Sequence, residues 1–279
     1  MCYKTLLTVL TTPVNTETQL EQSVALARLT EGHVNALCLG VDRTQTGYYY
    51  AGANAMVLQE TLARAKEEVG AIERSVTKRL SQSAVNFNVE TGVAQMADIG
   101  RHVARLTRFS DLVVLAQPYG KNRPTEAEAI VESALFEGRA PVLVMPDNTT
   151  LPDHIKTVLI AWNESIEAMT SVRKALPMLQ AADMVRVVVI DPPQHGPERS
   201  DPGGLLCQML SRHGVNCEID VLSKTMPNVS EVLNRHAVDT AADLIVMGAY
   251  GHSRFRQAIL GGATRNMLEK AQVPVLMAH

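Results

Sequence analysis

The residues most able to do chemistry in this sequence lie in one stretch, Gly248-Ala-Tyr-Gly-His-Ser-Arg-Phe-Arg-Gln-Ala-Ile-Leu-Gly-Gly-Ala-Thr-Arg-Asn-Met267. Gly248 and Gly251 let a backbone approach a ribose or a phosphate with no Cβ in the way. Gly261 and Gly262 open a predicted helix, so their amide N–H groups face outward at its positive end. The macrodipole there adds about 0.3–1 kcal/mol for an anion, besides the hydrogen bonds themselves. Thr264 can cap that helix or donate its hydroxyl to a phosphate oxygen. Arg254, Arg256 and Arg265 surround the loop with positive charge. The bland alternative is that the glycines only make tight turns and Thr264 only caps. A strand, a glycine loop and a helix in that order favour anion binding.

Catalysis would need a nucleophile, a base or a metal cage beside this loop. His252 and Ser253 are adjacent there, but neighbours on a loop rarely point at each other, and no third group orients them. Asp191-Pro-Pro-Gln-His195 offers only two metal ligands with a proline pair between them, and reads as a surface loop. No Walker lysine, HExxH or GxSxG occurs. The chain is therefore expected not to be an enzyme, with at most slow, incidental ATP turnover. Cys2, Cys38, Cys207 and Cys217 form no CxxC pair and read as reduced thiols.

The elements that must position the loop come twice. Asp111-Leu-Val-Val-Leu-Ala116 and Asp243-Leu-Ile-Val-Met-Gly248 are nearly one string, and Ala140-Pro-Val-Leu-Val-Met145 echoes Val273-Pro-Val-Leu-Met-Ala278. Lys4-Thr-Leu-Leu-Thr-Val9 likewise matches Lys156-Thr-Val-Leu-Ile-Ala161. Three landmarks in the same order mark a duplicated domain, with copies at 1–147 and 154–279 joined by the Pro/Asn/Asp-rich segment between them. In the second copy, strands are predicted over 156–161, 184–190, 216–222, 243–248 and 273–278, with helices between them. Continuous apolar strands such as Val187-Val-Val-Ile190 belong to parallel sheets covered on both faces. Alternation with helices implies right-handed βαβ units, hence two tandem, doubly wound, five-stranded parallel α/β sandwiches of Rossmann-like type. The first copy adds a run of helix formers over 53–80, preceded by a loop carrying Tyr48, Tyr49 and Tyr50, which reads as a plug against the domain. The terminal strands Pro141–Met145 and Pro274–Met277 are expected to pair edge to edge, since bare apolar edges invite aggregation.

The spacing Gly-x2-Gly-x9-Gly after a strand, ahead of a helix and the closing Val273-Pro-Val-Leu-Met277, resembles the universal stress protein family. The resemblance spans the chain as a tandem of two such domains. It implies a fold related to the adenine nucleotide alpha hydrolases, and a stress-response protein; many members bind ATP and others bind no nucleotide. By that resemblance Asn163 would sit near the ribose and Ile190 would meet the adenine through its backbone. Met247 and Gly248 would flank ribose and phosphates, Gly251 would belong to the phosphate loop, and Gly261, Gly262, Ala263 and Thr264 would cradle the phosphates. Two positions depart from the family. Gly262 stands where it has Ser or Thr, which removes a hydroxyl worth about 0.5–1.5 kcal/mol. Asn163 stands where it often has Asp. The first copy departs further: Ala116 and Tyr119 (or Gly120 with a one-residue shift) stand where the first glycines do, Glu128 and Ala129 replace the helix-opening pair, and Val131 replaces Thr264. Glu126, Glu128 and Glu132 would repel phosphate, so that copy is expected not to bind a nucleotide in the family's way.

Composition narrows the partners. Over 279 residues the apolar share is 46%, the charged share 20%, and the net charge -3. These values fit an ordered, soluble chain and exclude a basic nucleic-acid footprint. A single Trp and 4% aromatics give no base-stacking platform. No apolar run reaches the ~20 residues of a membrane span, and the N-terminus does not read as a secretory signal, so a cytoplasmic protein is expected. The leading reading is a stress-response sensor or interaction module holding ATP in its second domain, with a protein partner unspecified and a homodimer left open. The alternatives are a nucleotide-independent scaffold whose two domains pair as a built-in dimer, and a slow hydrolase of an adenylated metabolite.

Overall fold

A computed structural model describes residues 3–13, 16–43, 54–120, 123–147, 149–192, 201–251 and 262–279, with the backbone alone over 54–58. Two compact units divide at Ala140/Pro141. The sequence places the division at 147–154. The difference is one strand, Val142–Met145, which groups with the second unit because it hydrogen-bonds to that unit's last strand.

The first unit, Tyr3–Ala140, holds β1 (Thr5–Leu10), α1 (Thr16–Thr30), β2 (His33–Asp42), α2 (Asn54–Ser81), β3 (Asn86–Gln95), α3 (Ile99–Thr107), β4 (Leu112–Ala116) and α4 (Ala127–Glu132). Its strands run parallel in the order β3-β2-β1-β4. The second unit contributes β5 (Val142–Met145), β6 (Thr157–Ala161), α5 (Ile166–Ala181), β7 (Met184–Ile190), α6 (Gly204–Arg212), β8 (Cys217–Leu222), α7 (Val229–Asp239), β9 (Leu244–Gly248), α8 (Ala263–Lys270) and β10 (Val275–Ala278). Five of these strands are parallel in the order β10-β9-β6-β7-β8, and β5 adds antiparallel to β10 with Val144 opposite Val275. The expected pairing of the two short terminal strands is present, and it covers the apolar edge of β10.

The elements form where the residues dictate. β4 and β9 are buried almost end to end, as central parallel strands must be. α5 starts at Ser165, whose Oγ accepts from the Ala168 amide at 3.1 Å, and it buries Ala168, Val172, Ala175 and Leu179 at helical spacing. The repeated aspartates have a structural purpose that the strings alone did not reveal. Asp111 accepts the amides of Lys4 and Thr5 at 2.8 and 2.9 Å, and Asp243 those of Lys156 and Thr157 at 2.7 and 3.1 Å. Asp111 thus closes the start of β1 and Asp243 the start of β6. No helix among the described residues is long and apolar enough to cross a membrane.

Cys38, wholly buried in β2, has its thiol pushed up to about 12, first by burial and then by the Glu73 charge. A protonated, inaccessible thiol is a poor nucleophile. Iodoacetamide at pH 8 is therefore expected to spare Cys38 in the native protein and modify it only after unfolding, as read by peptide mass spectrometry.

Candidate functional site

In the second unit the chain winds from β6 outward through β7 to β8, then returns to place β9 on the other side of β6. The helices leaving β6 and β9 therefore diverge, and a crevice opens beyond the strands' carboxyl ends. That crevice is a cavity of about 480 Å³, within the size range of small-ligand sites. Asn163, Ile190, Met247, Gly248, Gly251, Gly262, Ala263 and Thr264 all line it. Gly261, with His252, Ser253, Arg254 and Arg256, lies outside the described residues, as do Tyr48, Tyr49, Tyr50 and His195.

The cavity is graded in polarity. On the β7 side Val188 and Ile190 face Val229 and Leu233 of α7, an apolar slot. On the β9 side are Gly251, Gly262 and the N-terminus of α8. Asn163 stands between them at the end of the central strand. Residue types missed in the sequence include Trp162, Ser165, Val188, Val229 and Leu233. The alternation of β7 pairs Val188 with Ile190, and the i, i+4 spacing of Val229 and Leu233 puts them on one helical face, so both were in principle legible. Trp162 is the chain's single Trp; it is tied to β7 by its amide to the Val188 carbonyl at 2.9 Å.

Three local arrangements set the site's chemistry. Thr264 is buried, and its Oγ1 accepts from the Tyr250 amide at 3.0 Å, so its first duty is to hold the loop after β9 against α8. No side chain caps α8; Gly262 occupies the N-cap position in extended conformation. Thr264→Val removes this hydrogen bond to the buried Tyr250 amide and is expected to cost about 1–3 kcal/mol, while Thr264→Ser is expected to be close to neutral; urea melts followed by Trp162 fluorescence check both.

Gly248 has a packing reason to be glycine that the sequence did not reveal. A Cβ there would lie 2.6 Å from the Ala168 amide nitrogen and 2.8 Å from the Glu167 carbonyl carbon. The close passage of α5 requires a residue without a Cβ here, and the same residue lines the cavity. A Cβ on Gly251 would meet Glu167 Oε2 at 3.2 Å, so a carboxylate from the first turn of α5 stands beside the loop.

The first unit's counterpart is much smaller. The cavity between the ends of β1 and β4 measures about 50 Å³. Buried Gln19 lines it, donating from Nε2 to Thr8 Oγ1 at 2.8 Å and to the Val9 carbonyl at 2.9 Å, and accepting from the Ala116 amide at 3.2 Å. Just before α4, Glu126 is wholly buried and meets Arg43 through two hydrogen bonds, Nη2 to Oε1 at 2.6 Å and Nε to Oε2 at 3.2 Å. Glu128, by contrast, is exposed. Burial alone would raise the Glu126 pKa; the hydrogen bonds from Arg43 and Thr11 outweigh it and bring the net value below the usual carboxylate range. The Glu126 carboxylate just before α4 is thus paired within the protein by Arg43.

Among the described residues no three His, Cys, Asp or Glu side chains gather as a metal site. Asp191, one of the two ligands considered above, accepts from the Lys224 amide at 3.0 Å.

Fold and crevice together define a doubly wound α/β protein with a ligand-sized cavity at its switch point. Residues 208–279 match the Universal stress protein family model. A universal stress protein of Synechocystis sp. is 29% identical over 127 residues, which span 44% of this chain and 42% of that protein, so the match covers less than half of the curated relative's length. The crystal structure of a universal stress protein from Archaeoglobus fulgidus superposes with a TM-score of 0.68 at 13% identity, covering 98% of this chain and 95% of that one. One described as a putative universal stress protein from Pseudomonas aeruginosa gives 0.61 at 13% identity, covering 99% and 93%. The chain is thus similar to universal stress proteins, with the family model's match lying in its C-terminal unit over residues 208–279.

Proposed function

We propose that the second unit binds an adenine nucleotide, ATP in the first instance, and that the protein serves as a stress-response sensor or interaction module, not as an enzyme. One observation carries the reading: a single cavity runs from an apolar slot suited to a purine ring to the N-terminus of α8, where backbone amides suit phosphate. The cavity's volume and its graded polarity fit a base at one end and an anion at the other. Signalling would be a population shift. Trp162 and Ser165 line both this cavity and a neighbouring groove formed by Met169, Leu206 and Met209, where Ile166 and Leu205 stand 82% and 70% exposed. A ligand that fixes Trp162 would alter that groove, the surface offered to a protein partner. The cytoplasm is the expected compartment.

The test is titration of the protein with ATP, followed by Trp162 fluorescence. Saturable quenching is expected, and it should vanish in Gly262→Asp, which places a carboxylate at the anion position. Asp is a favourable N-cap, so this variant should melt no earlier than the parent. Unchanged ATP binding in Gly262→Asp would remove α8 from the site. Steady-state assay for phosphate release should stay at background; turnover well above background would restore the hydrolase reading.

A further inference from the structure

Asn163 decides more than whether a ligand is held. Its Oδ1 accepts from the Ser165 amide at 3.2 Å. A backbone N–H can only donate, so the amide orientation is fixed, and Nδ2 is the atom left over. Among the described residues Nδ2 has no acceptor, and Asn163 is an exposed residue at the wall of the cavity. The strand order puts it between the apolar slot of β7 and the phosphate end beside β9. On the adenine-nucleotide reading above, on which this inference rests, the group lying between base and phosphate is the ribose.

A carboxylate at this position could accept from Ser165 with one oxygen and from two ribose hydroxyls with the other. Such a site requires O–H protons on the sugar. Asn163 presents N–H donors instead, so the sugar oxygen needs only a lone pair. We infer that this site reads ribose O2′ and O3′ as acceptors, and therefore takes adenine nucleotides substituted on either oxygen as readily as unsubstituted ones. Because Asn163 is exposed, a substituent on either oxygen has room to project out of the cavity mouth.

The experiment compares ATP with its 2′-O-methyl and 3′-O-methyl ethers, by Trp162 fluorescence, in the parent protein and in Asn163→Asp. The aspartate is isosteric and keeps the acceptor for Ser165, and a melting curve verifies its fold. The parent is expected to bind both ethers within about threefold of ATP. Asn163→Asp is expected to bind ATP more tightly and at least one ether about tenfold more weakly than ATP, the step between a neutral and a charge-assisted hydrogen bond. If the parent binds ATP but rejects both ethers by tenfold or more, or if Asn163→Asp leaves the ether-to-ATP ratio unchanged, the inference is wrong and the nucleotide reading survives. If the parent binds none of the three, the nucleotide reading itself fails and this inference falls with it.

Discussion

Gly248→Ala is expected to unfold the second unit first, at a cost of about 2–3 kcal/mol. The new Cβ would press on backbone, the Ala168 nitrogen at 2.6 Å and the Glu167 carbonyl carbon at 2.8 Å. A flexible side-chain tip could swing away, but a helix turn cannot. α5 is anchored at this end by the Ser165 cap and by Ser171, whose buried hydroxyl donates to the Met247 carbonyl at 2.8 Å and accepts from the Ala278 amide at 2.9 Å. Relief must come either from lifting α5 off β9 or from bending the strand end. Both movements alter the crevice, so on the proposed function ATP affinity should fall together with stability. Trp162 stands in the affected unit, and its fluorescence melt should drop by roughly 6–12 °C. Gly251→Ala makes the control: among the described residues its Cβ would come nearest the Glu167 carboxylate and Ser165 Oγ, at 3.2 and 3.9 Å, and it should change the melt little. Equal melting of the two variants would show that α5 does not constrain Gly248.

Arg43→Met is expected to destabilise the first unit and to reverse the sign of its pH dependence. Glu126 is fully buried, whereas Arg43 remains 34% exposed. Removing the cation strands a buried carboxylate, for which losses of about 3–5 kcal/mol are usual; water reaching the Arg43 side lowers the expectation here to about 2–3 kcal/mol. In the parent, the Glu126 pKa lies below the unfolded value of 4.5. The contribution of the pair is therefore complete above that value, and it is lost as pH falls through the lower folded value. Without Arg43, burial dominates and raises the Glu126 pKa, so the variant loses stability as pH rises. Arg43→Met combined with Glu126→Leu should recover most of the loss, because two packed apolar groups replace the pair without an orphaned charge. Amide hydrogen exchange in β2 and β4 reads this unit separately from Trp162. A single variant as stable as the parent at pH 7 would deny the pair its structural role.

These two variants also mark what separates the copies. The strings of the repeat predict both sheets, because hydrophobic runs of strand length, bounded by turns and alternating with helical spacing, leave few topologies open. The strands of the second unit fall within about two residues of their predicted ends. The order of glycines, Thr264 and helix was legible because local backbone chemistry sets it. Glu126 was legible as a carboxylate that would oppose phosphate, but not as the partner of Arg43, which lies 83 positions away. Gln19 gave no signal at all, since a polar helical residue looks the same in sequence whether it meets water or two strand ends.

The sequence by itself determined the duplicated α/β plan, the asymmetry between the copies and the stretch from Gly248 to Thr264 as the candidate site, since each depends on residue type and spacing along the chain. Only the tertiary structure decided that Gly248 serves helix packing, that Thr264 pins the loop, and that Asn163 Oδ1 is taken up by the Ser165 amide. Each of those depends on which atom faces which. A hydrogen bond's direction is set by the partner opposite, and no periodicity records it.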